Sequence, residues 1–285
     1  MMDEHLIRKN IIKSYSENIG FPVYTVEELK QMYEAFHVDP QSTDRRVFDT
    51  ESMSHHTQVE VLKLLRMMDV TDKHYILDAG CGNGAPTRLI AKLYGCKMLG
   101  FDINPNQIRK AIDCDVLEGV DHLIERKVKD VHTLDFQNES FDKIFHNETM
   151  CHWMDKKAAL TGLHEALKKN GIMGFHDWTR GEKGSLNEAS GDFFGTYAEG
   201  VWFQISMEET RSLLGKMGFN LIHSEDTTDI VDRGLRTRLR ELQMSKVYLK
   251  GASEEYFNKS VRYFKVMIET HYDYLKYGRF LCIKK

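Results

Sequence analysis

The segment Ile76-Leu77-Asp78-Ala79-Gly80-Cys81-Gly82-Asn83-Gly84 constrains the fold more than any other part of this chain. A short aliphatic run ends in a carboxylate, and three glycines at alternate positions lead into Pro86 and an amphipathic stretch. That order predicts a strand, a tight turn and the start of a helix. Glycine is needed there because a side chain would keep a ligand from lying against the backbone. Proline suits the first helical turn, where its missing N–H costs nothing. The expectation is a nucleoside-bearing cofactor over this turn.

The pattern around the turn extends it into a fold. Val61, Leu64, Leu65 and Met68 recur at helical spacing just before the first strand. From there strands and helices alternate. Strands are predicted at Tyr75–Ala79, Lys97–Phe101, Leu123–Val128, Phe141–Phe145, Ile172–His176, Phe219–His223 and Tyr277–Ile283. Helices are predicted at Pro86–Tyr94, Pro105–Ile112, Ala158–Leu167 and Met207–Met217, the third of these stopped by Asn170-Gly171. Such alternation implies an α/β architecture, a doubly wound, mostly parallel seven-stranded sheet covered on both faces. Residues 1–70 read as a polar helical segment broken at Pro22 and Pro40, residues 71–180 as the core, and residues 181–285 as the remainder. Within that remainder, 181–200 are rich in glycine and suit a mobile connection or a plain surface loop. Residues 226–276 read as a helical cap inserted before the last strand.

With 285 residues, 41% of them hydrophobic and 29% charged, the chain can bury a full core. A net charge of −4 gives no general pull toward nucleic acid. No apolar run approaches the length of a membrane span, and Met1-Met2-Asp3-Glu4-His5 lacks a signal-peptide stretch. Five cysteines without C-x-x-C spacing fit reduced thiols and a cytoplasmic protein.

Two cofactors compete for the glycine turn. Nicotinamide dinucleotides place the third glycine after two intervening residues, with a phosphate on the helix N-terminus. Here the interval is one residue, and Asp78 lies on the strand before the first glycine. Asp102, twenty residues beyond Gly82, closes the second strand, where a carboxylate serves ribose hydroxyls in either class. The ribose contact therefore does not discriminate.

A resemblance does. Leu77 through Gly84 resembles the first motif of the class I S-adenosylmethionine-dependent methyltransferases. The stretch Lys129-Asp130-Val131-His132-Thr133-Leu134-Asp135-Phe136 through Asp142 resembles the family segment after the third strand. Ala166-Leu167-Lys168-Lys169-Asn170-Gly171-Ile172 resembles the later Leu-Lys-Pro-Gly-Gly turn, with the proline and one glycine replaced. The resemblance covers residues 70–180 and implies a Rossmann-like sheet with S-adenosylmethionine as cofactor. It implies that Asp102 binds the ribose hydroxyls and Asp130 the adenine amine. Gly80, Gly82 and Gly84 would line the methionine portion, and Asp78, Ile103, Val131 and Asn147 would complete the cofactor set.

Chemistry is expected in the loop after the fourth strand, His146-Asn147-Glu148-Thr149-Met150-Cys151-His152-Trp153, because ligands bind outside the carboxyl ends of parallel strands. This loop resembles the acidic segment of C-methyltransferases that act on alkenes, such as the geranyl diphosphate and sterol enzymes. On that resemblance Glu148 is the family's glutamate, a base or a stabiliser of a developing cation. His152 is the second catalytic candidate. Trp153, Trp178 and Trp202 would offer ring faces to positive charge, although most aromatic residues simply pack. His56 would close the pocket from the N-terminal side. Arg236, in the run Arg233, Arg236, Arg240, would clamp a substrate anion, the commoner alternative being a solvated charged face. His146, His152 and His176 show no zinc spacing. The function expected is methyl transfer to a small molecule, with an isoprenoid or other alkene foremost. N-methylation of a small amine of the glycine or dimethylglycine type, natural-product O-methylation and a non-catalytic cofactor-binding regulator are the alternatives. The expected partners are a small-molecule substrate and a second copy of the chain.

Overall fold

The computed structural model describes residues 4–16, 25–35, 37–44, 48, 52–189, 201–244 and 254–285. Its sheet is built from β1 (Tyr75–Ala79), β2 (Lys97–Asp102), β3 (Ile124–Val128), β4 (Phe141–Asn147), β5 (Leu167–Arg180), β6 (Phe219–Asp226) and β7 (Leu275–Lys284). The order across the sheet is β3-β2-β1-β4-β5-β7-β6. β1 to β5 pair in parallel, while β7 runs antiparallel to both β5 and β6. The doubly wound, mostly parallel sheet predicted from the alternation is the one observed.

The central strands are continuous apolar runs because both sheet faces are covered. Adjacent strand residues point to opposite faces, and the core divides accordingly. Leu77, Leu99, Ile144 and Phe280 belong to one buried cluster, with Leu160 and Leu163 of a covering helix. Their neighbours Ile76, Met98, Phe145 and Leu281 belong to the other, with Val61, Leu64 and Leu65. Helices α1 (Glu4–Ser16), α2 (Val26–Ala35), α3 (Gln58–Met67), α4 (Ala85–Tyr94) and α5 (Pro105–Leu117) precede β3. Helices α6 (Lys156–Ala166), α7 (Met207–Lys216), α8 (Thr228–Met244) and α9 (Glu254–Thr270) follow β4. Their starts are locally encoded. The Asn104 side chain accepts from the backbone N–H of Asn106, Asp155 accepts from Lys157 and Ala158, and Ser206 forms a capping box with Glu209. No helix among the described residues is long and apolar enough to cross a membrane.

Several boundaries differ from the sequence reading. Helix α6 ends at Ala166, and β5 begins at Leu167, before Asn170-Gly171 rather than after it. Leu167 is fully buried opposite Phe141. Asn170 takes a left-handed φ of 62°, and pairing resumes at Lys143–Ile172 after a register shift. The turn residues are thus absorbed as an irregularity within the strand. Helix α5 continues past Ile112 to Leu117, and β5 continues past His176 to Arg180. Of the glycine-rich stretch 181–200, residues 190–200, including Tyr197, lie outside the described residues. Its first part is tied to the corner before β7, where Glu182 and Lys183 donate backbone bonds to the carbonyls of Tyr272 and Asp273.

Candidate functional site

Strand order reverses beside β1, which lies between β2 and β4, and a crevice opens at the carboxyl ends of these strands. An open cleft lies there. The N–H groups of Gly80 and Cys81 both donate to the Phe101 carbonyl at 2.9 Å, which draws the glycine turn onto the end of β2. Gly80 has φ 77° and Gly82 φ 52°. A β-carbon at Gly80 would stand 2.7 Å from Thr149, and one at Gly82 would stand 2.6 Å from Met53. Both positions therefore need glycine for conformation, and Gly80 needs it for space as well, because the Met53 methyl beside Gly82 can swing aside.

Asp102 receives the Gly82 N–H on one carboxylate oxygen and the Asn104 N–H on the other, each at 2.9 Å. Burial raises its pKa, and the backbone donors of Asn104, Gly82 and Ile103 oppose the rise. Asp130, beyond β3, accepts from the backbone N–H and ring Nδ1 of His132, and the Arg8 Nε lies 2.7 Å from its other oxygen. Burial pushes the Asp130 carboxyl up, but His132 and Arg8 outweigh it and hold it at about 2. Asp78, buried under the turn, accepts the Thr87 hydroxyl at 2.5 Å, and burial lifts its carboxyl to about 6. Two carboxylates past successive strand ends, beside a turn stripped of side chains, fit a nucleoside carrying a polar tail.

The far wall of the cleft is organised by Glu148, which leaves β4 with a left-handed φ of 59°. One carboxylate oxygen accepts from the Ser54 hydroxyl at 2.8 Å, the His56 Nδ1 at 2.7 Å and the His56 N–H at 3.0 Å. The other accepts the Trp178 indole N–H at 2.7 Å, and the His55 N–H lies 2.9 Å from both. Burial raises the carboxyl, yet the His56 bond and the neighbouring imidazoles and backbone donors outweigh it. The group is held well below the usual carboxylate range. It is a fixed negative charge, not a base at neutral pH.

His152 provides the opposite character. Its Nδ1 lies 2.9 Å from the Val201 carbonyl and its Nε2 lies 2.6 Å from the Tyr15 hydroxyl. A carbonyl only accepts, so Nδ1 carries the ring proton and Tyr15 donates to Nε2. Burial lowers the His152 pKa to about 4 and raises that of Tyr15 well above 10. Trp178 stacks between His55 (4.7 Å) and Trp202 (4.9 Å), with ring planes inclined by 16° and 13°.

The structure brings most of the expected residues to this cleft. Asp78, Gly80, Gly82, Asp102, Ile103, Asp130 and Val131 line its glycine-turn side. Asn147, Glu148, His152, Trp153 and Trp178 line the other. Gly84 instead takes φ 81° just before α4 and packs on Arg126. His56 sits behind Glu148, its Nε2 3.0 Å from the Thr227 hydroxyl. Trp202 lies behind Trp178. Arg236 is not brought to the cleft. Its side chain is 53% exposed and its guanidinium lies 2.8 Å from Asp232, one turn away on the same helix. Sequence reasoning missed Arg8, Ile11 and Tyr15 of α1 and Met53 of the following segment, all of which line the cleft. Tyr15 meets His152 across 137 residues of chain, and no local pattern marks that contact.

Residues 77–175 match the family model described as a methyltransferase domain. Among curated proteins the chain is similar to a sterol 24-C-methyltransferase of Eremothecium gossypii, 27% identical over 165 residues, covering 56% of this chain and 44% of that protein. The chain thus spans less than half the length of that relative. Among solved structures it is similar to phosphoethanolamine N-methyltransferase 2 of Haemonchus contortus, with a TM-score of 0.77 and 18% identity over 98% of this chain and 60% of that one. It is also similar to geranyl diphosphate C-methyltransferase of Streptomyces coelicolor, with a TM-score of 0.65 and 11% identity, covering 98% of both chains. At these identities the two structures speak for the fold. Residues 77–175 thus match a methyltransferase domain, and the fold of the chain is that of the methyltransferase structures it is similar to.

Proposed function

We propose that this protein transfers a methyl group from S-adenosylmethionine to a carbon atom of an apolar, alkene-bearing small molecule. The observation that carries the reading is Glu148, an ionised carboxylate fixed at the cleft surface beside Trp178. Such a group lowers the energy of positive charge that develops on an otherwise apolar acceptor. The likeness to a sterol 24-C-methyltransferase supports the choice of carbon.

When bound, the cofactor supplies an electrophilic methyl on a sulfonium. Asp102 would hold the ribose hydroxyls, and Asp130, with Val131, the adenine amine. Ile103 would pack on the nucleoside, Gly80 and Gly82 would lie against the methionine portion, and Asp78 would face its ammonium. Tyr15 and His152 would remove the proton that the acceptor loses. The phenol oxygen takes up that proton while its own proton moves to His152 Nε2, so charge passes to the imidazole. Residues 1–70 would close over the cleft, and 181–285 would complete the acceptor side. The same reading places the protein in the cytoplasm, in keeping with five buried cysteines that form no disulfide among the described residues.

The test is incubation with methyl-labelled cofactor and an acceptor panel of sterols with an isolated double bond, prenyl diphosphates and small amines. Label in an alkene carbon is the expected result. Because Tyr15 and His152 could equally take a proton from an ammonium, label in an amine nitrogen alone would overturn carbon methylation in favour of that second reading.

A further inference from the structure

One row of residues crosses four strands of the sheet. Glu225 on β6 is in register with Arg279 on β7, Arg279 with His176 on β5, and His176 with Asn147 on β4. The row ends at the cleft, which Asn147 lines. At its other end the fully buried Arg279 guanidinium lies 2.6 Å from Glu225 and binds Glu60 of α3.

Hydrogen-bond chemistry gives the row a direction. Arg279 Nε donates to His176 Nε2 at 3.0 Å. A guanidinium has no lone pair to offer, so that imidazole nitrogen must be the acceptor. His176 is fully buried with Arg279 beside it and His56 stacked on it at 4.0 Å, and these neighbours keep the ring neutral. A neutral ring that accepts at Nε2 carries its proton on Nδ1. That proton faces the Asn147 side-chain oxygen, 3.2 Å away. The amide oxygen is thereby committed to the sheet interior and its NH2 is turned the other way. That nitrogen is buried and has no hydrogen-bond partner among the described residues. A buried donor in that state costs stability unless a ligand completes it.

We propose that Arg279 and His176 are positioning residues that lock the Asn147 amide with its NH2 toward the cleft, where it donates to the carboxylate at the amino-acid end of the S-adenosyl cofactor. The inference rests on the cofactor reading given above. Asp102 and Asp130 fix the nucleoside on the β2 and β3 side of the glycine turn, so the amino-acid end extends toward β4. Thr149, two residues beyond Asn147, already abuts Gly80. An NH2 donor suits a carboxylate oxygen and repels an ammonium, for which buried Asp78 is the better partner.

Calorimetry on the full chain with S-adenosylhomocysteine and with 5′-methylthioadenosine, which lacks the amino-acid end, tests this. Asn147→Leu is expected to weaken S-adenosylhomocysteine about tenfold and methylthioadenosine less than twofold. Equal weakening of both ligands, or of neither, overturns the proposal. If the unaltered protein binds neither ligand, the cofactor reading itself fails and this inference with it. The positioning step has its own readout that needs no variant to fold. Nitrogen-15 spectra of the unaltered protein should show His176 as the Nδ1–H tautomer, and an Nε2–H tautomer would overturn the assignment. Arg279→Met, which offers no donor, should if folded release that tautomer and reproduce part of the Asn147→Leu loss for S-adenosylhomocysteine alone.

Discussion

A carboxylate removed from water must recover its hydration from the protein. Glu148 does so through five donors: the Ser54 hydroxyl, the backbone N–H groups of His55 and His56, the His56 ring and the Trp178 indole. Four of the five come from the three-residue stretch 54–56, so the side chain also pins the N-terminal segment to the ends of β4 and β5. Replacement of Glu148 by Gln keeps the shape but turns an NH2 group toward a set of donors. The expected cost is about 2 kcal/mol from donors left unsatisfied. For a chain of this size that is a fall of roughly 5 °C in melting temperature. A thermal melt of Glu148→Gln that matches the unaltered protein would show that the carboxylate is not what holds residues 54–56. Methyl transfer should fall further than stability accounts for, because the fixed negative charge is lost as well.

At the level of elements, what was legible in the sequence was local. β1 and the glycine turn were readable because one aliphatic run, one carboxylate and three glycines specify them within nine residues. Asp102 followed from its place at a strand end. Less legible were features that depend on distant partners. The start of β5 at Leu167 is set by Phe141 across the sheet, which overrides the Asn170-Gly171 stop signal. Arg279 reads in sequence as one more charge in an apolar strand, and only the register across β5 and β6 gives it a role. Helix α1 is the clearest case. Only Ile7 of its residues is buried, so its pattern does not announce a binding surface. It is held by Gln107, which donates to the Tyr15 carbonyl at 2.7 Å, by Asn104, which donates to the Ile12 carbonyl at 3.2 Å, and by the Arg8–Asp130 and Tyr15–His152 contacts. Tyr15→Phe separates anchoring from chemistry, since it removes one hydroxyl from several attachments. The turnover number should fall at least tenfold while the affinity for S-adenosylhomocysteine stays within twofold, read by single-turnover kinetics and calorimetry. A parallel loss of affinity would make the hydroxyl a clasp of α1 and remove it from the proton path.

Over the whole molecule, titration sets groups of opposite sign against each other. Burial lowers His55 and His146 to about 3 and His152 to about 4. Each of these histidines is neutral in the folded chain and takes up a proton below about 6.5 once unfolded. Their contribution to stability is therefore complete above pH 6.5 and is lost as the pH falls toward their folded values. Burial raises Asp78 to about 6 and Asp177 to about 7, and these carboxyls work the other way. Their contribution is present in acid and is lost as the pH rises from about 4 through 6 to 7. A simple pH–stability curve adds the two sets and identifies neither. A difference between two proteins cancels the shared carboxyls. His146 suits the comparison because it stacks on Phe175 at 4.2 Å among apolar neighbours, and because burial alone accounts for its shift. His146→Phe removes that titration. Its stability relative to the unaltered protein should rise on acidification, by on the order of 3 kcal/mol between pH 7 and pH 4. Denaturant melts at the two pH values measure the change directly. A difference that stays constant with pH would mean that His146 is not held neutral, and that the interior beneath β4 admits charge more readily than its packing implies.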